Sequence, residues 1–584
     1  MYQAGWSRKE IAVEPRGYAM HGYGQWHHRP RTRRTPLFAR ALFVRDDAGR
    51  ALIFCCLDLG YVTHAMRAGA CATLRERLGD AFDEAGFVLT CTHTHSGPGG
   101  CTHDALYNVV TPGFVPAHLE AVVAATVAAV LEARETAAPT ELGLVRGDLD
   151  ERVSVAWNRS LDAYNRNPDV TRRPETETHL AIDRTMHVLT LRRGGELRAL
   201  VSLFGVHATC LGSRLHAHDA DNKGYAATHA EGVLRDAGVA DAVAIFAQTT
   251  AGDVSPHYQG PGDVAFRRQL RGAAEIAYAR QNGIKQGEHA LALARGGAEE
   301  PVAGAADAVL AYVDFTAIHA EPRFAGGEED AWTSEPCHGV AFFRGTRVDG
   351  PGLPAGAGAL AVRIARALKA RRLRSLAGKA PEEQVYLRRL YAAQGPKDIL
   401  LEAGRKRMLG AALGDPWIPG FLDPTIRELK RQVRVGALKE SALVPTVLPL
   451  QIVVLGPLAV VCCPGEFTTV AGRRLVETVA AVLERRGIGR VLICTYCNDY
   501  MGYTTTREEY QEQCYEGGHT IFGQWQLAAF QTRFAALAGE LLVPDASRAH
   551  DRTTRPTPVP AAELALRSDL PVPRRGRRQP EARQ

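Results

Sequence analysis

The sequence predicts an α/β fold of the mixed α+β kind, layered, with mixed β-sheets flanked by helices. Three observations carry this expectation. Buried-strand runs alternate with segments of helical spacing through the first half of the chain. The same alternation returns after about residue 440, and polar, glycine-bearing loops repeatedly follow the strands.

The elements follow in order. "RALIFCCLDLGYV" is a buried strand, and "THAMRAGACATLRERLGDAF" has helical spacing with charged outer positions. "GFVLTCTHTH" is a second strand, followed by the alanine-rich helix "PAHLEAVVAATVAAVLEARETA". "MHVLTLRRGGELRALVSLFGVHAT" reads as a hairpin around Gly194-Gly195, "NKGYAATHAEGVLRDAG" as a helix, and "AVAIFAQTTAGDVSP" as a strand running into a loop. Residues 285–350 read less clearly, with one strand candidate, "AVLAYVDFTAIHA". Helical patterns follow at "AGALAVRIARALKARRLRSLAG" and "EEQVYLRRLYAA". In "LVPTVLPLQIVVLGPLAVVCC", Pro445, Pro449 and Pro457 interrupt the apolar run, so it reads as two buried strands rather than a membrane span. The helix "AGRRLVETVAAVLERRG", the strand "GRVLICTYC" and the helix "GQWQLAAFQTRFAALAGELL" complete the pattern. A catalytic unit is expected over 1–545 and a Pro/Arg-rich, disordered tail over 546–584.

Composition narrows the function classes. At 46% hydrophobic and 23% charged residues, the 584-residue chain has the make-up of a soluble globular protein. The formal charge of +6 collects partly in "HHRPRTRR" and "PRRGRRQPEARQ", which read as a solvated loop and a tail; no nucleic-acid partner is expected. The N-terminus lacks an apolar run of signal-peptide length, so a cytoplasmic location is expected. Twelve cysteines, many inside apolar strands, read as reduced thiols, and "CTYC" reads as core packing rather than a redox or zinc motif.

Five loops that follow strands could carry chemistry. In "CTHTHSGPGG", His93 and His95 stand two apart, so an extended chain turns both imidazoles to one side. His207 ends "LFGVH", where a packed histidine is the alternative to a ligand. Glu466 follows "PG" at a helix start, where an acid is favoured without any catalytic role. Tyr500, Tyr503 and Tyr515 lie in "NDYMGYTTTREEYQEQCYEG", where packing is the alternative. Asp253 and Ser255 end "FAQTTAGDVSP", where a turn or cap is the alternative.

Taken together and in order, these blocks resemble the catalytic domain of the neutral, non-lysosomal ceramidases, a family of zinc-dependent amidases. The resemblance rests on "HTHSGPGG", "WNRSLDAYNRNP", "DNKGYA", "FAQTTAGDVSP", "PGEFTTVAGRRL" and "NDYMGYTTTREEYQEQCYEG", and spans roughly residues 10 to 545. It implies that His93, His207, Glu466 and Tyr503 bind Zn2+, that His95 transfers protons, and that Arg159 and Tyr515 hold and polarise the substrate carbonyl. Ser255 belongs to the family's site region. A mixed N/O ligand set suits zinc with a position left for water. A rival mechanism uses Ser255 as a nucleophile with a histidine base.

The match departs from the family pattern in places. "NRSLD" replaces "NRSP", which puts Asp162 close to Arg159, and His257 stands where asparagine is expected. A secretory leader and an immunoglobulin-like C-terminal domain are also expected to be missing. The implied activity is cleavage of ceramide or a related N-acyl lipid to a fatty acid and an amine, with transient contact to a membrane surface. The alternatives are the same zinc scaffold acting on a smaller amide or ester, and a non-catalytic lipid-binding protein that docks through its basic N-terminal segment.

Overall fold

The computed structural model describes residues 1–15, 17–108, 113–257, 266–346, 348–416 and 424–568. A nine-stranded mixed sheet holds β1 Tyr2–Glu10, β2 Phe38–Arg45, β3 Ala51–Leu57, β4 Phe87–Cys91, β5 Ala138–Asp148, β6 Thr185–Arg193, β7 Glu196–Leu203, β8 Val243–Ala247 and β9 Glu300–Val302. Its order is β8-β7-β6-β5-β1-β2-β3-β4, with β9 also on β5. A four-stranded sheet runs β10 Ala306–Asp314, β11 Val447–Leu455, β12 Leu458–Cys462 and β13 Arg490–Cys494. The two sheets pack face to face through Leu42, Val44, Val201, Ile245, Val453 and Leu492. Alternate residues of the same strands point the other way. Ala41, Phe43, Ile53 and Leu89 meet helices α1 His64–Leu78 and α2 Pro116–Glu135, and Val188, Leu200 and Phe246 meet α3 Asp221–Asp236 and α4 Ala273–Gly296. The expected helices α5 Ala355–Arg374 and α6 Pro381–Gln394 lie on the flank, and α7 Thr469–Leu483 and α8 Gln526–Glu540 cover the outer face of the second sheet. The α/β expectation therefore holds, as a four-layer α/β/β/α stack.

Local chemistry accounts for the elements that position the site. Thr63 caps α1 by accepting the Met66 N–H, and Gly79, at φ 54°, ends it. Gly194 and Gly195 have φ of 58° and 79°, the left-handed pair that a two-residue hairpin needs between β6 and β7. Among the described residues, α2 alone is long and apolar enough to cross a membrane, yet Val122, Ala125, Ala129, Val130 and Ala133 are buried against the sheet. All twelve cysteines are free and eleven are buried, Cys494 and Cys497 included, as expected for core thiols.

Three parallel strand pairs, each joined through a helix, set the architecture: β3–α1–β4, β7–α3–β8 and β12–α7–β13. In such units functional groups gather beyond the carboxyl ends of the strands. The first two units lie at opposite edges of the large sheet, and the sheet curls until β8 lies against β2 and β3. Gln248, fully buried just past β8, ties the three strand ends together. Its Nε2 donates to Thr92 O (2.9 Å) after β4 and to Val206 O (2.7 Å) after β7, and its Oε1 accepts the Val206 N–H (3.1 Å). Its carbonyl accepts the Thr495 N–H (3.1 Å) after β13.

The tail expected from residue 546 is structured as far as residue 568, which corrects the sequence reading. Arg548 pairs with buried Asp307, Glu563 accepts the Ser441 N–H at 3.0 Å, and Arg567 donates to His103 O at 2.6 Å from helix α9 Ala561–Ser568. The signal lies in these few charged side chains, which compositional reading counts as solvated. Residues 569–584, including all of "PRRGRRQPEARQ", lie outside the described residues.

Gln248→Met keeps the volume but leaves Val206 N–H and two carbonyls unpaired in the interior. A loss of roughly 2–4 kcal/mol in unfolding free energy is expected, read as a lowered denaturant midpoint.

Candidate metal centre and substrate cavity

The three crossovers deliver their terminal residues to one point. His93 and His95 follow β4, His207 follows β7, Glu466 follows β12, and Tyr503 lies beyond β13. Glu466 and Tyr503 are partners in a two-residue parallel ladder, Glu466–Phe467 with Tyr503–Thr504, which sets them side by side. His93 sits at φ 66°, a region that β-carbon-bearing residues seldom enter, so the turn out of β4 is bent to aim its ring. All five side chains are buried, His95 the most accessible at 8% exposure.

The hydrogen bonds fix which ring nitrogens carry protons. His93 Nδ1 lies 2.6 Å from the Gly60 carbonyl, and His207 Nδ1 lies 2.6 Å from the Ala251 carbonyl. A carbonyl can only accept, so both Nδ1 atoms are donors, and in a neutral ring the Nε2 atom then presents a lone pair. Those lone pairs face a carboxylate: His93 Nε2 is 3.5 Å from Glu466 Oε1, and His207 Nε2 is 3.0 Å from Glu466 Oε2. Burial, opposed by the attraction of Glu466, pushes His93 down to about 4, so it is neutral near pH 7. Burial also works against the charge of Glu466, but the two imidazoles and the Tyr500 hydroxyl outweigh it and hold the carboxyl well below its usual range.

Acceptors facing acceptors in a dry interior call for a cation between them. Ligand atoms around a tetrahedral zinc with bonds of about 2.0–2.1 Å stand roughly 3.3 Å apart. The contacts of 3.5 Å and 3.0 Å to Glu466, and 3.3 Å from His207 Nε2 to the Tyr503 hydroxyl, match that spacing. The carbonyl bonds to Nδ1 are the outer-shell contacts that metal-ligating histidines commonly make. Tyr500 and Tyr496 donate to the two oxygens of Glu466 at 2.5 and 3.1 Å and keep it oriented. His95 Nε2 lies 3.1 Å from His93 Nε2, and one ring nitrogen each from His93, His95 and His207 fall within 4.8 Å of one another, a group that could hold a metal ion. His95 is therefore at ligand distance as well, but its Nδ1 meets no carbonyl that would fix its tautomer.

Arg159 is brought in by a short antiparallel ladder between Trp157–Asn158 and Val254–Ser255. Its donors are nearly used up. Nε donates to Glu516 (2.8 Å), Nη1 to Asp349 (2.8 Å), and Nη2 to Gly252 O (2.8 Å) and the Tyr503 hydroxyl (3.1 Å). One N–H of five is left. Asp162 makes no ion pair with Arg159 among the described residues, and Glu516 and Asp349 take that place. Tyr515 has its ring 5.4 Å from that of Tyr503. Its hydroxyl makes no hydrogen bond among the described residues, and Tyr515 lines a cavity of about 800 Å³ shared with Arg159, Asp349 and Glu516. His93, His95 and His207 are not in that lining; Tyr503 stands between Arg159 on the cavity wall and His207.

Ser255 donates to Asp349 Oδ1 at 3.2 Å, and among the described residues no histidine ring bonds its hydroxyl. His257 instead places Nε2 2.8 Å from Thr209 O. Burial works against the charge of Asp349, but Arg159 holds it down at about 2, which makes it a poor base. The geometry thus gives the Ser255 nucleophile no activating base. Asp253 has the structural role weighed for it: it accepts the Thr469 N–H (2.8 Å) at the start of α7 and the Asn158 amide (2.7 Å).

Sequence reasoning missed Gln248, Asp349, Glu516 and the Tyr496 contact. Gln248 stood inside a quoted block, where a polar side chain ending an apolar strand was a usable signal. Asp349, in the loop "RVDGPG", offered none.

The sequence model of the neutral/alkaline non-lysosomal ceramidases, N-terminal part, matches residues 2–532. The neutral ceramidase of Pseudomonas aeruginosa is 33% identical over 541 residues, covering 92% of this chain and 72% of that protein. The neutral ceramidase of Mycobacterium tuberculosis is 31% identical over 548 residues, with 92% and 77% covered. The solved structure of a ceramidase complexed with C2 superposes with a TM-score of 0.77 at 30% identity, over 96% of this chain and 78% of that one. The chain belongs to the neutral/alkaline non-lysosomal ceramidase family.

Proposed function

We propose that the protein is a zinc-dependent amidohydrolase that cleaves the N-acyl amide of ceramide or a related N-acyl lipid to a fatty acid and an amine. The observation that carries the reading is the pair of Nδ1-anchored imidazoles whose free Nε2 atoms meet a buried carboxylate without a proton between them. His93, His207, Glu466 and Tyr503 would hold the ion, and the mixed N/O set favours zinc. Bound there, zinc would supply Lewis acidity toward a water molecule and the amide carbonyl.

The chain's own groups then divide the work. Tyr515 offers an uncommitted hydroxyl from the cavity wall to the carbonyl oxygen, where negative charge builds. Arg159 has one N–H left for substrate, so its main effect is a fixed positive field beside Tyr503. His95, kept neutral by burial, is placed to take a proton from water and return it to the leaving nitrogen. Ser255, through Asp349, helps to hold Arg159. Contact with a membrane surface and a cytoplasmic location belong to the same proposal. The docking reading for the N-terminal basic segment is weakened because Arg33 pairs with Glu10 and Arg34 with Asp219.

Purified protein should carry zinc at one ion per chain by elemental analysis, and His93→Ala should lose both the ion and fatty-acid release from ceramide. Metal-free protein that hydrolyses ceramide normally would end the proposal, and metal-free, inactive protein that binds the lipid would favour the lipid-binding alternative. Tyr515→Phe should lower kcat by about 10²-fold or more with the metal retained. Asp349→Ala leaves the buried Arg159 Nη1 without its acceptor while Glu516 still balances the charge, and should cost roughly 1–3 kcal/mol of stability in chemical denaturation.

A further inference from the structure

The cavity that ends on Arg159 and Tyr515 is unusually rich in guanidinium groups. Arg159, Arg214, Arg267, Arg271 and Arg344 line it, against Glu275, Asp349 and Glu516. The three carboxylates are already taken. Asp349 and Glu516 both pair with Arg159 at 2.8 Å, and Glu275 pairs with Arg267 at 2.7 Å. Among the described residues, Arg214 and Arg344 make no ion pair, and Arg271 reaches only the Arg267 and Leu270 carbonyls. Arg214, Arg271 and Arg344 are all exposed. One such arginine would be an ordinary solvated charge. Three around one concave space, where five guanidiniums stand against three carboxylates among the described residues, create a net positive potential beside Arg159 and Tyr515.

That potential favours the fatty-acid anion but opposes the amine product of a neutral substrate. Hydrolysis of an N-acyl amino alcohol liberates an amine that is protonated near pH 7, a cation released among unpaired guanidiniums. An anionic group on the amine half reverses the sign and can be held bidentately by guanidinium when it is a carboxylate.

Resting on the amidase reading above, we infer that the preferred substrates are N-acyl amines whose amine half carries an anionic head, held by Arg214, Arg271 and Arg344 at the cavity mouth. The reaction adds water across the amide. The water oxygen bonds to the acyl carbon, the C–N bond breaks, and the nitrogen takes a proton, giving a fatty acid and a zwitterionic amino acid or aminosulfonate.

The test uses the metal-loaded full chain and measures fatty-acid release from N-palmitoylglycine, N-palmitoyltaurine, N-palmitoylethanolamine and C16 ceramide. The carboxylate, the sulfonate or both should exceed the ethanolamide by about tenfold in kcat/KM, the equivalent of roughly 1.4 kcal/mol of charge recognition. The two anionic arms show which head is preferred. In Arg214→Gln/Arg344→Gln the ratio of anionic to neutral kcat/KM should fall at least fivefold, through KM. A folding defect lowers both rates and leaves the ratio alone, so the ratio reports recognition. Preference for the ethanolamide or ceramide, or a ratio unmoved by the double variant, overturns the inference while the amidase reading stands. Cleavage of none of the four by zinc-loaded protein overturns both.

Discussion

The structure depends on bringing three strand ends, far apart in sequence and at two edges of a curled sheet, to a single point. The buried Gln248 amide is where they are tied. It is neutral, so it can be buried without a counter-charge, and it has enough donors and acceptors to join Thr92 and Val206, while the main-chain carbonyl of Gln248 takes the Thr495 N–H. Asn498 repeats the device nearby by accepting the Leu89 N–H and donating to Gln451. Fixing the backbone at these ends fixes the side chains that follow by one to a few residues. This is why His93, His207 and Glu466 are presented without a long loop between strand and ligand.

The sequence carried much of this in local signals, but one large piece of the fold escaped it. Helix α4 spans 24 residues, yet "AAEIAYARQNGIKQGEHALALARG" drew no helix expectation, since glycines in a helical pattern read as breakers. Here they allow close packing. A β-carbon on Gly283 would sit 2.3 Å from Asn222 O, and one on Gly287 3.0 Å from Ala226 O, so α4 approaches α3 backbone to backbone. The reason for the glycine is tertiary, and no window of sequence contains it. Strand β1 was passed over similarly, because "YQAGWSRKE" alternates weakly and its pairing with β2 and β5 supplies the order.

The candidate site divides along the same line. Residues in glycine-bearing loops after apolar strands were readable, because the chemistry and the exposing turn sit in one short stretch. The family resemblance then assigned them roles that composition could not. Asp349 and Glu516 were not readable as partners of Arg159. They arrive from a separate loop and from the far side of the tyrosine segment, and only the fold makes them neighbours. The sequence pointed to Asp162 as the acid beside Arg159. Proximity along the chain misled there, because the helical turn Leu161–Tyr164 carries Asp162 away from the ladder that fixes Arg159.

The environment of Arg159 bears on how such a site can stabilise developing charge. A guanidinium with most donors free would bind a carbonyl oxygen strongly before reaction as well as during it, and binding both states equally does not accelerate the chemical step. Two carboxylates, a backbone carbonyl and the Tyr503 hydroxyl instead occupy four of its five N–H groups. The charge is thereby fixed in position and largely compensated, and its remaining influence is exerted on Tyr503, which also meets His207. In the proposed reaction Tyr515, whose hydroxyl has no hydrogen-bond partner among the described residues, is the donor able to respond when the carbonyl oxygen gains charge. Preorganisation is placed on the arginine and responsiveness on the tyrosine. The arginines at the cavity mouth, which make no ion pair among the described residues, stand apart from both, and the effect we infer for them falls on which substrate enters rather than on how fast the bond breaks.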